Sequence, residues 1–455
     1  MKPNRTFFLI TLLFLAVKSF FLSVNVWWDP AVYIGMGKFI FSLGKSGLWE
    51  ASRPIVWPTL LGFIWRIGLS PVIFGKVLSL LLAVGCAYLT YLIGREVFDE
   101  KIALLAAAFF LFSPTLFFNS DLMMAGIPST FFGLLAVYHL LKKKYFLMGI
   151  FAGITFMTRF LQLIVLAGLL IILFIYRKKL RIKRTDINQI ALGFFLIVVP
   201  YLLLNIFLYG SMLYPFILQA KLTKFTGWMW WEPLSFYFKN LFKENFLAVF
   251  SLLGFFFLFR KKAKKDYRKS SIFVLFLLFF VFYNLNIHKE MRFAITFFPY
   301  LYLITSLGLF ELLAFVKERK GPIIILSVLL LVLGCETFTQ YEREPRITRF
   351  DPFWEYVEDV EGTLWITNPV FVVHSDVLVD ELIYYSMSTM ERFRGLTFKL
   401  FKADNLLVNT CDIPCFPGDE PCEKGKEEFM QSVKDRFNVA YNDTFWDCEL
   451  YIFRR

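Results

Sequence analysis

Long apolar runs broken by short polar stretches dominate the chain from residue 6 to about residue 336, and a different pattern follows. The runs cover roughly 6–25, 72–94, 102–118, 124–141, 145–158, 160–176, 189–209, 246–259, 271–286, 294–315 and 322–336. A helix needs ~20 apolar residues to cross hydrocarbon, and several of these runs are short for a full crossing. The pattern predicts a mainly α, polytopic membrane bundle of about eleven helices. Met1–Trp28 reads as a retained first span, because its apolar stretch is too long for a leader and no small-residue cleavage site follows it.

The polar breaks carry topological information. Lys2/Arg5, Arg95/Lys101, Lys142–Lys144, Arg177–Arg184, Arg260–Lys269 and Lys317–Lys320 all fall on one side of the predicted bundle. The positive-inside rule makes that side cytoplasmic, which puts the N-terminus inside and the C-terminal region outside. The external side then holds the first loop (26–71), the turn Asn119–Asp121, the turn Thr158–Phe160, the loop 210–245, His288–Phe293 and the tail. Within the first loop, Tyr33, Met36, Ile40 and Leu43 recur at helical spacing across Pro30–Ser46, with Lys38 and Lys45 elsewhere on the wheel. Arg53–Gly68, with Trp57 and Trp65, reads as a second helix, and both are expected to lie in the membrane interface. Trp228, Trp230 and Trp231 read as an interfacial anchor in preference to a sugar-stacking platform.

Beyond residue 339 the runs shorten. Thr363–Thr367, Asn405–Asn409 and Glu449–Phe453 look like strands, and Asp376–Tyr385 and Glu427–Phe437 look like helices. This predicts a small external α/β domain over 339–455, attached to a membrane domain over 1–338. Cys411, Cys415, Cys422 and Cys448 all fall in it; an even count outside the membrane reads first as two disulfides, with zinc the lesser reading, and spacing alone leaves the pairing open.

Composition agrees with the membrane reading: 58% of residues are hydrophobic and 58 are Phe. The formal net charge of +13 conceals two parts, with 36 Lys/Arg against 13 Asp/Glu in residues 1–335, and 13 against 23 in residues 336–455. The basicity therefore reflects topology and gives no argument for nucleic acid.

Chemistry concentrates in few places. His288-Lys289-Glu290-Met291-Arg292-Phe293 is an island of charge between two apolar runs, where charge is expensive and usually functional. Its three potential cations and one carboxylate suit an anionic headgroup. Of the 13 acids in residues 1–335, only Asp29, Glu50, Asp121, Glu232, Glu244 and Glu290 fall on the external side. Asp29, where the first span meets the outer surface, reads equally as a helix N-cap with Pro30 at N1 and as a general base at a water-poor boundary. Asp121 by position is a solvated turn acid, and Arg159 either snorkels or pairs with phosphate. No phosphate-binding loop and no dinucleotide fingerprint is present, so an enzyme on the external side must draw an activated group from a donor carried in the membrane, such as a lipid phosphate.

His288-Lys289-Glu290-Met291-Arg292-Phe293 resembles the H-K-E-x-R-F motif of the dolichol- and GPI-pathway mannosyltransferases of the GT-C glycosyltransferase superfamily. Asp29, Arg53-Pro54-Ile55-Val56-Trp57-Pro58, Thr90–Arg95 and Leu111–Pro114 resemble segments of that superfamily, including protein mannosyltransferases and lipid-A aminoarabinose transferases. The resemblance covers roughly 1–320 and implies a GT-C fold with two external helices packed after the first span. It implies transfer of mannose or a similar hexose, with inversion, from a polyprenyl- or dolichyl-phosphate donor to a lipid-linked glycan, glycolipid or protein. Asp29 would act as base, with Asp121 a second acid if the loops meet. His288, Lys289 and Arg292 would cradle the phosphate, Glu290 would orient them and Arg159 would assist. Relatives often carry Asp-Glu where this chain has Asp29-Pro30, so adjacent acids are not available. No cofactor is called for, and no clustered external acids form an obvious metal site. The location implied is a multi-pass protein of the membrane, the cell membrane in a prokaryote. The alternative class is a transporter or flippase for a lipid-linked or anionic solute, although no internal repeat supports it.

Overall fold

The computed structural model describes residues 5–259, 266–314, 331–339, 351–358, 360–383, 388–445 and 447–455. The chain divides into two compact units, one of residues 1–23, 76–214 and 231–344, the other of 24–75, 215–230 and 345–455.

The first unit is helical. Among the described residues, Pro71–Val97, Arg184–Tyr209 and Tyr267–Leu285 are long and apolar enough to cross a membrane, and shorter apolar helices include Gly126–Leu141, Tyr145–Thr158 and Phe298–Leu313. By length and composition three helices among the described residues reach crossing length, which does not by itself confirm the count of about eleven. Several expected runs are interrupted for local reasons. The run 102–118 splits into Glu100–Leu111 and Pro114–Asn119, since Pro114 lacks an N–H and pushes the residue before it out of the helical region. The run 294–315 starts as the 3-10 turn Met291–Thr296 and becomes α-helical at Phe298. The expected span 322–336 is described only from residue 331.

Glycine sets the closest helix contacts. A Cβ on Gly149 would stand 2.2 Å from the Ile190 carbonyl oxygen, and one on Gly193 would stand 2.3 Å from that of Phe146, so only glycine lets Tyr145–Thr158 and Arg184–Tyr209 approach this far. The ends of the bundle are held by charge. Glu96 pairs with Lys142 and lies 3.9 Å from Arg268, while Lys269 covers the Phe98 ring at 5.6 Å. Basic clusters far apart in sequence thus meet at one end of the helix Gly126–Leu141. At its other end, Arg292 reaches the Met124 sulfur at 3.2 Å.

A nine-residue helix, Phe236–Glu244, closes this end. Its last residue, Glu244, is buried and accepts hydrogen bonds from the Thr115 N–H and hydroxyl, each at 2.6 Å. Burial pushes its carboxyl up to about 7 against these two bonds, and the Glu336 carboxylate nearby pushes it the same way.

The second unit is built on a five-stranded sheet: β1 (Leu364–Ile366), β2 (Val379–Leu382), β3 (Asn405–Asn409), β4 (Asn438–Phe445) and β5 (Cys448–Arg454), in the order β2-β1-β3-β5-β4. β2, β1 and β3 are parallel; β5 runs antiparallel to β3 and β4, with Leu406 facing Phe453 and Leu407 facing Ile452. Within the expected helix Asp376–Tyr385, residues 379–382 are instead the strand β2, because pairing beside β1 satisfies their backbone while Val379 joins the core, and residues 384 and 385 lie outside the described residues. The expected Glu427–Phe437 helix begins earlier, at Glu420, where the Asp419 side chain caps the Cys422 N–H at 3.0 Å and Pro421 occupies the first turn. Cys411 pairs with Cys448 and Cys415 with Cys422, so the sulfurs form two disulfides and not a zinc site.

The first-loop helices depart most from expectation. Trp28–Phe41 is buried along Pro30–Lys38 and belongs to the core of this unit: Val32, Met36 and Leu48 pack with Leu364, Ile366, Phe371, Val372, Leu407 and Ile452. It is therefore no interfacial helix. A Cβ on Gly37 would stand 2.6 Å from the Gly62 nitrogen, which shows how tightly it crosses Val56–Arg66. Lys38, expected on a polar face, is buried; its ammonium donates to the carbonyls of Val372 (3.0 Å) and Ser375 (2.9 Å) and pairs with Asp376 at 2.9 Å. Trp228, expected as a membrane anchor, packs edge-on against Phe416 at 5.3 Å, while Trp231 is two-thirds exposed.

Two outcomes follow from these contacts. Lys38→Met strips the donor from two buried carbonyls and should cost about 2 kcal/mol, visible as a melting temperature several degrees lower in detergent, whereas Lys45→Met, on an exposed side chain, should leave it unchanged. For Glu244, the folded state keeps a proton between the ordinary value of 4.5 and about 7 that the unfolded chain has already released. Stability should accordingly fall as pH rises through that window and level off above it. Glu244→Gln, which cannot ionise, should flatten the melting profile between pH ~5 and pH ~8.

Candidate active site

In the first unit the motif residues form a compact cationic turn. Residue 290 is extended (φ −144°, ψ 147°), and a 3-10 turn starts at Met291. Side chains alternate along extended backbone, so His288 and Glu290 share one side and Lys289 takes the other. His288 Nε2 lies 2.5 Å from Glu290 Oε1; Arg292 reaches the same carboxylate through Nε at 2.6 Å and a terminal nitrogen at 2.7 Å. One carboxylate thus braces an imidazole and a guanidinium. All three side chains are about one-fifth exposed. Burial pushes the Glu290 carboxyl up, but the hydrogen bond from His288 and the charge of Arg292 outweigh it and hold the group below the ordinary carboxylate range.

Phe293 is the hub of the cluster. The Arg159 guanidinium lies over its ring at 4.4 Å, Arg292 at 5.6 Å, and the His288 ring meets it at 5.1 Å. Arg159 is the residue that ends the helix Tyr145–Thr158, and its backbone leaves the helical region there (φ −155°, ψ 114°). It is half-buried, and among the described residues it has no carboxylate partner. Glu290 braces His288 and Arg292, the Glu232 carboxylate acts on Lys289, and the Arg159 guanidinium is held by the Phe293 ring.

Two predicted residues are placed differently. Lys289 is buried and donates to the Glu232 carbonyl at 2.6 Å; burial lowers its ammonium from the ordinary lysine range. Asp121 is no solvated turn acid. It is fully buried, 2.8 Å from the equally buried Lys18, and accepts the Ser23 N–H at 2.5 Å, while Lys76 donates to the Ser23 carbonyl at 2.6 Å. Apolar surroundings exclude water from this carboxylate, so it persists only with a cation and a backbone donor beside it.

Asp29 lies in the second unit. Trp27 occupies the N-cap position, and Asp29 sits in the first helical turn, so the capping role expected for it does not hold. The Asp29 carboxylate pairs with Arg53 at 2.8 Å and is about one-fifth exposed. Arg53 also bonds Glu50 at 3.1 Å and Tyr33 at 3.4 Å, and Ser52 donates to the same Glu50 oxygen at 2.6 Å. A second acid is therefore tied to Asp29 through one guanidinium, from the loop after its helix rather than from residue 30. In the sequence Glu50 is one external acid among six. The signal was Arg53, three residues beyond Glu50 and opening the Arg53–Pro58 motif. Among the described residues, no group of three His, Cys, Asp or Glu side chains is placed to hold a metal ion.

Residues 52–204 match the family described as dolichyl-phosphate-mannose-protein mannosyltransferase. No curated protein matches the sequence. Among solved structures, the oligosaccharyltransferase AglB of the archaeon Archaeoglobus fulgidus, in complex with an inhibitory peptide and a dolichol-phosphate, is similar at a TM-score of 0.63 and 12% identity, over 89% of this chain and 69% of that one. ArnT from Cupriavidus metallidurans, bound to undecaprenyl phosphate, is similar at 0.63 and 11% identity, over 98% of this chain and 97% of that one. The mycobacterial arabinofuranosyltransferase AftD is similar at 0.57 and 10% identity, with 100% of this chain covering 40% of that one. At such identities the likeness is one of fold. The family match thus rests on residues 52–204, and along nearly the whole chain the protein shares the fold of these glycosyltransferase structures.

Proposed function

We propose that this protein transfers a hexose, mannose on the strength of the family match, from a polyprenyl- or dolichyl-phosphate donor to a hydroxyl of a glycan, glycolipid or protein at the external face of the membrane. The observation that carries the reading is Arg159: a half-buried guanidinium stacked on Phe293, without a carboxylate partner among the described residues, beside a turn already rich in cations. Such a surplus of directed positive charge suits an anion with several oxygens. That AglB and ArnT were solved with dolichol-phosphate and undecaprenyl phosphate supports a lipid phosphate as that anion.

The chemistry then assigns itself by group. The acceptor oxygen bonds to the anomeric carbon on the face away from phosphate. The carbon–oxygen bond to phosphate breaks, and its electron pair stays on the phosphate oxygen. Arg159, Arg292 and His288 stabilise the charge that builds there, which is where fixed donors contribute most. Glu290 aims Arg292 and His288, and Lys289 supports the turn from behind. The acceptor proton passes to Asp29, whose carboxylate Arg53 orients. Asp121, committed to Lys18, serves to fix the chain where the first helix ends. The basic clusters support an N-terminus in the cytoplasm and a C-terminal domain, residues 339–455, on the external side.

Asp29→Asn should abolish transfer while expression and melting temperature stay at the parent level. Arg159→Ala and Arg292→Ala should each lower transfer by about a hundredfold or more. Mass spectrometry of lipid-linked and surface glycans, from cells carrying each variant and from cells lacking the gene, reads all three. Full transfer by Asp29→Asn would remove it as the base, and an unchanged glycan profile without the gene would remove the transferase reading.

A further inference from the structure

The cationic turn does not hold itself in place. Three contacts stitch it to the segment just before and inside the helix Phe236–Glu244. Trp231 and His288 form an isolated antiparallel bridge, the Glu232 carbonyl receives the Lys289 ammonium at 2.6 Å, and Tyr237 meets Glu290. The last contact is unusual in form. The Tyr237 hydroxyl donates to the Glu290 carbonyl at 2.9 Å and accepts the Glu290 N–H at 3.3 Å, so one phenol satisfies both backbone groups of the residue whose side chain braces the site. Tyr237 is fully buried, among the rings of Phe236, Tyr283 and Phe297. Burial keeps its phenol protonated and able to donate. The far end of the same helix is pinned by Glu244 on Thr115, with bonds to both its N–H and hydroxyl. A helix of this length spans about 13 Å, so a rigid strut with polar anchors at both ends sits behind the turn.

We infer that Tyr237 is a positioning residue: through its two bonds to the Glu290 backbone, the strut Phe236–Glu244 sets where the Glu290 carboxylate stands and hence where His288 and Arg292 point. Lys289 belongs to the same device, a buried tie to the Glu232 carbonyl rather than a ligand of the anion. The inference rests on the reading of this turn as the phosphate site. Loss of both bonds lets the extended segment slide while the ring packing of residue 237 survives, and small displacements of charge-stabilising groups cost rate steeply.

Tyr237→Phe keeps the ring and removes both bonds, so it is the variant of choice; Lys289→Met is the second, should the first fold poorly. Amide hydrogen exchange over residues 287–293 and the affinity for undecaprenyl phosphate in nanodiscs are measured for both, with Arg292→Ala as reference. The expected result is faster exchange at the Glu290 amide and affinity about tenfold weaker, from two lost bonds of ordinary strength. The exchange increase should stay confined to residues 287–293 while the amides of Phe236–Glu244 keep their protection, which separates positioning from a general structural role. Unchanged exchange at Glu290, or unchanged affinity in both variants while Arg292→Ala weakens binding, overturns the inference. Full affinity in Arg292→Ala overturns the phosphate reading itself, and faster exchange in Tyr237→Phe would then show a clip that serves no such site.

Discussion

Charge buried away from water must find a counter-charge or a set of hydrogen-bond partners, and three deeply buried groups show how the structure meets that demand. Asp121 takes Lys18 and the Ser23 N–H; Lys38 takes two carbonyls and Asp376; Glu244 takes both donors of Thr115. Each of these joins residues more than ninety positions apart, so pairing also fixes tertiary registry. Around Phe293 the Arg159 guanidinium has no carboxylate partner among the described residues, and that is where chemistry is proposed.

The cationic turn shows how a small number of groups divide the work. Glu290 spends its carboxylate on His288 and Arg292, which orders them at the cost of part of their charge. Arg159 arrives from a different helix end and is ordered by stacking on Phe293 instead. An aromatic face holds a guanidinium in place without neutralising it, so its positive charge stays available. Backbone geometry completes the arrangement, because alternation along residues 288–290 sends Lys289 away from the other two and into the tie at Glu232.

Much of this was legible from particular residues. The helix Tyr145–Thr158 and the strand Asn405–Asn409 fall where the pattern placed them, since strong apolar runs with clear polar ends leave little freedom. The same holds for the two disulfides as a count. Asp376–Tyr385 was misread because a short stretch of mixed polarity has no intrinsic preference, and partner strand β1 decided it. The helix Trp28–Phe41 was misread for a related reason. Lys38 and Lys45 looked like one polar face, yet Lys38 finds carbonyl acceptors from residues more than three hundred positions away, which no spacing can reveal.

By itself the sequence pointed to a membrane bundle followed by an α/β region whose four cysteines read first as two disulfides, and it singled out His288–Phe293, Asp29 and Arg159 as candidate sites. Hydrophobic periodicity and the cost of charge near hydrocarbon act residue by residue, so they can be read along the chain. Only the tertiary structure decided which charges are spent. It gave Asp121 to Lys18, sent Lys289 into a carbonyl, tied Glu50 to Asp29 through Arg53, and set Tyr237 behind Glu290. Partnership of this kind depends on distances of a few ångströms between segments far apart in sequence, and those distances exist only once the chain has folded.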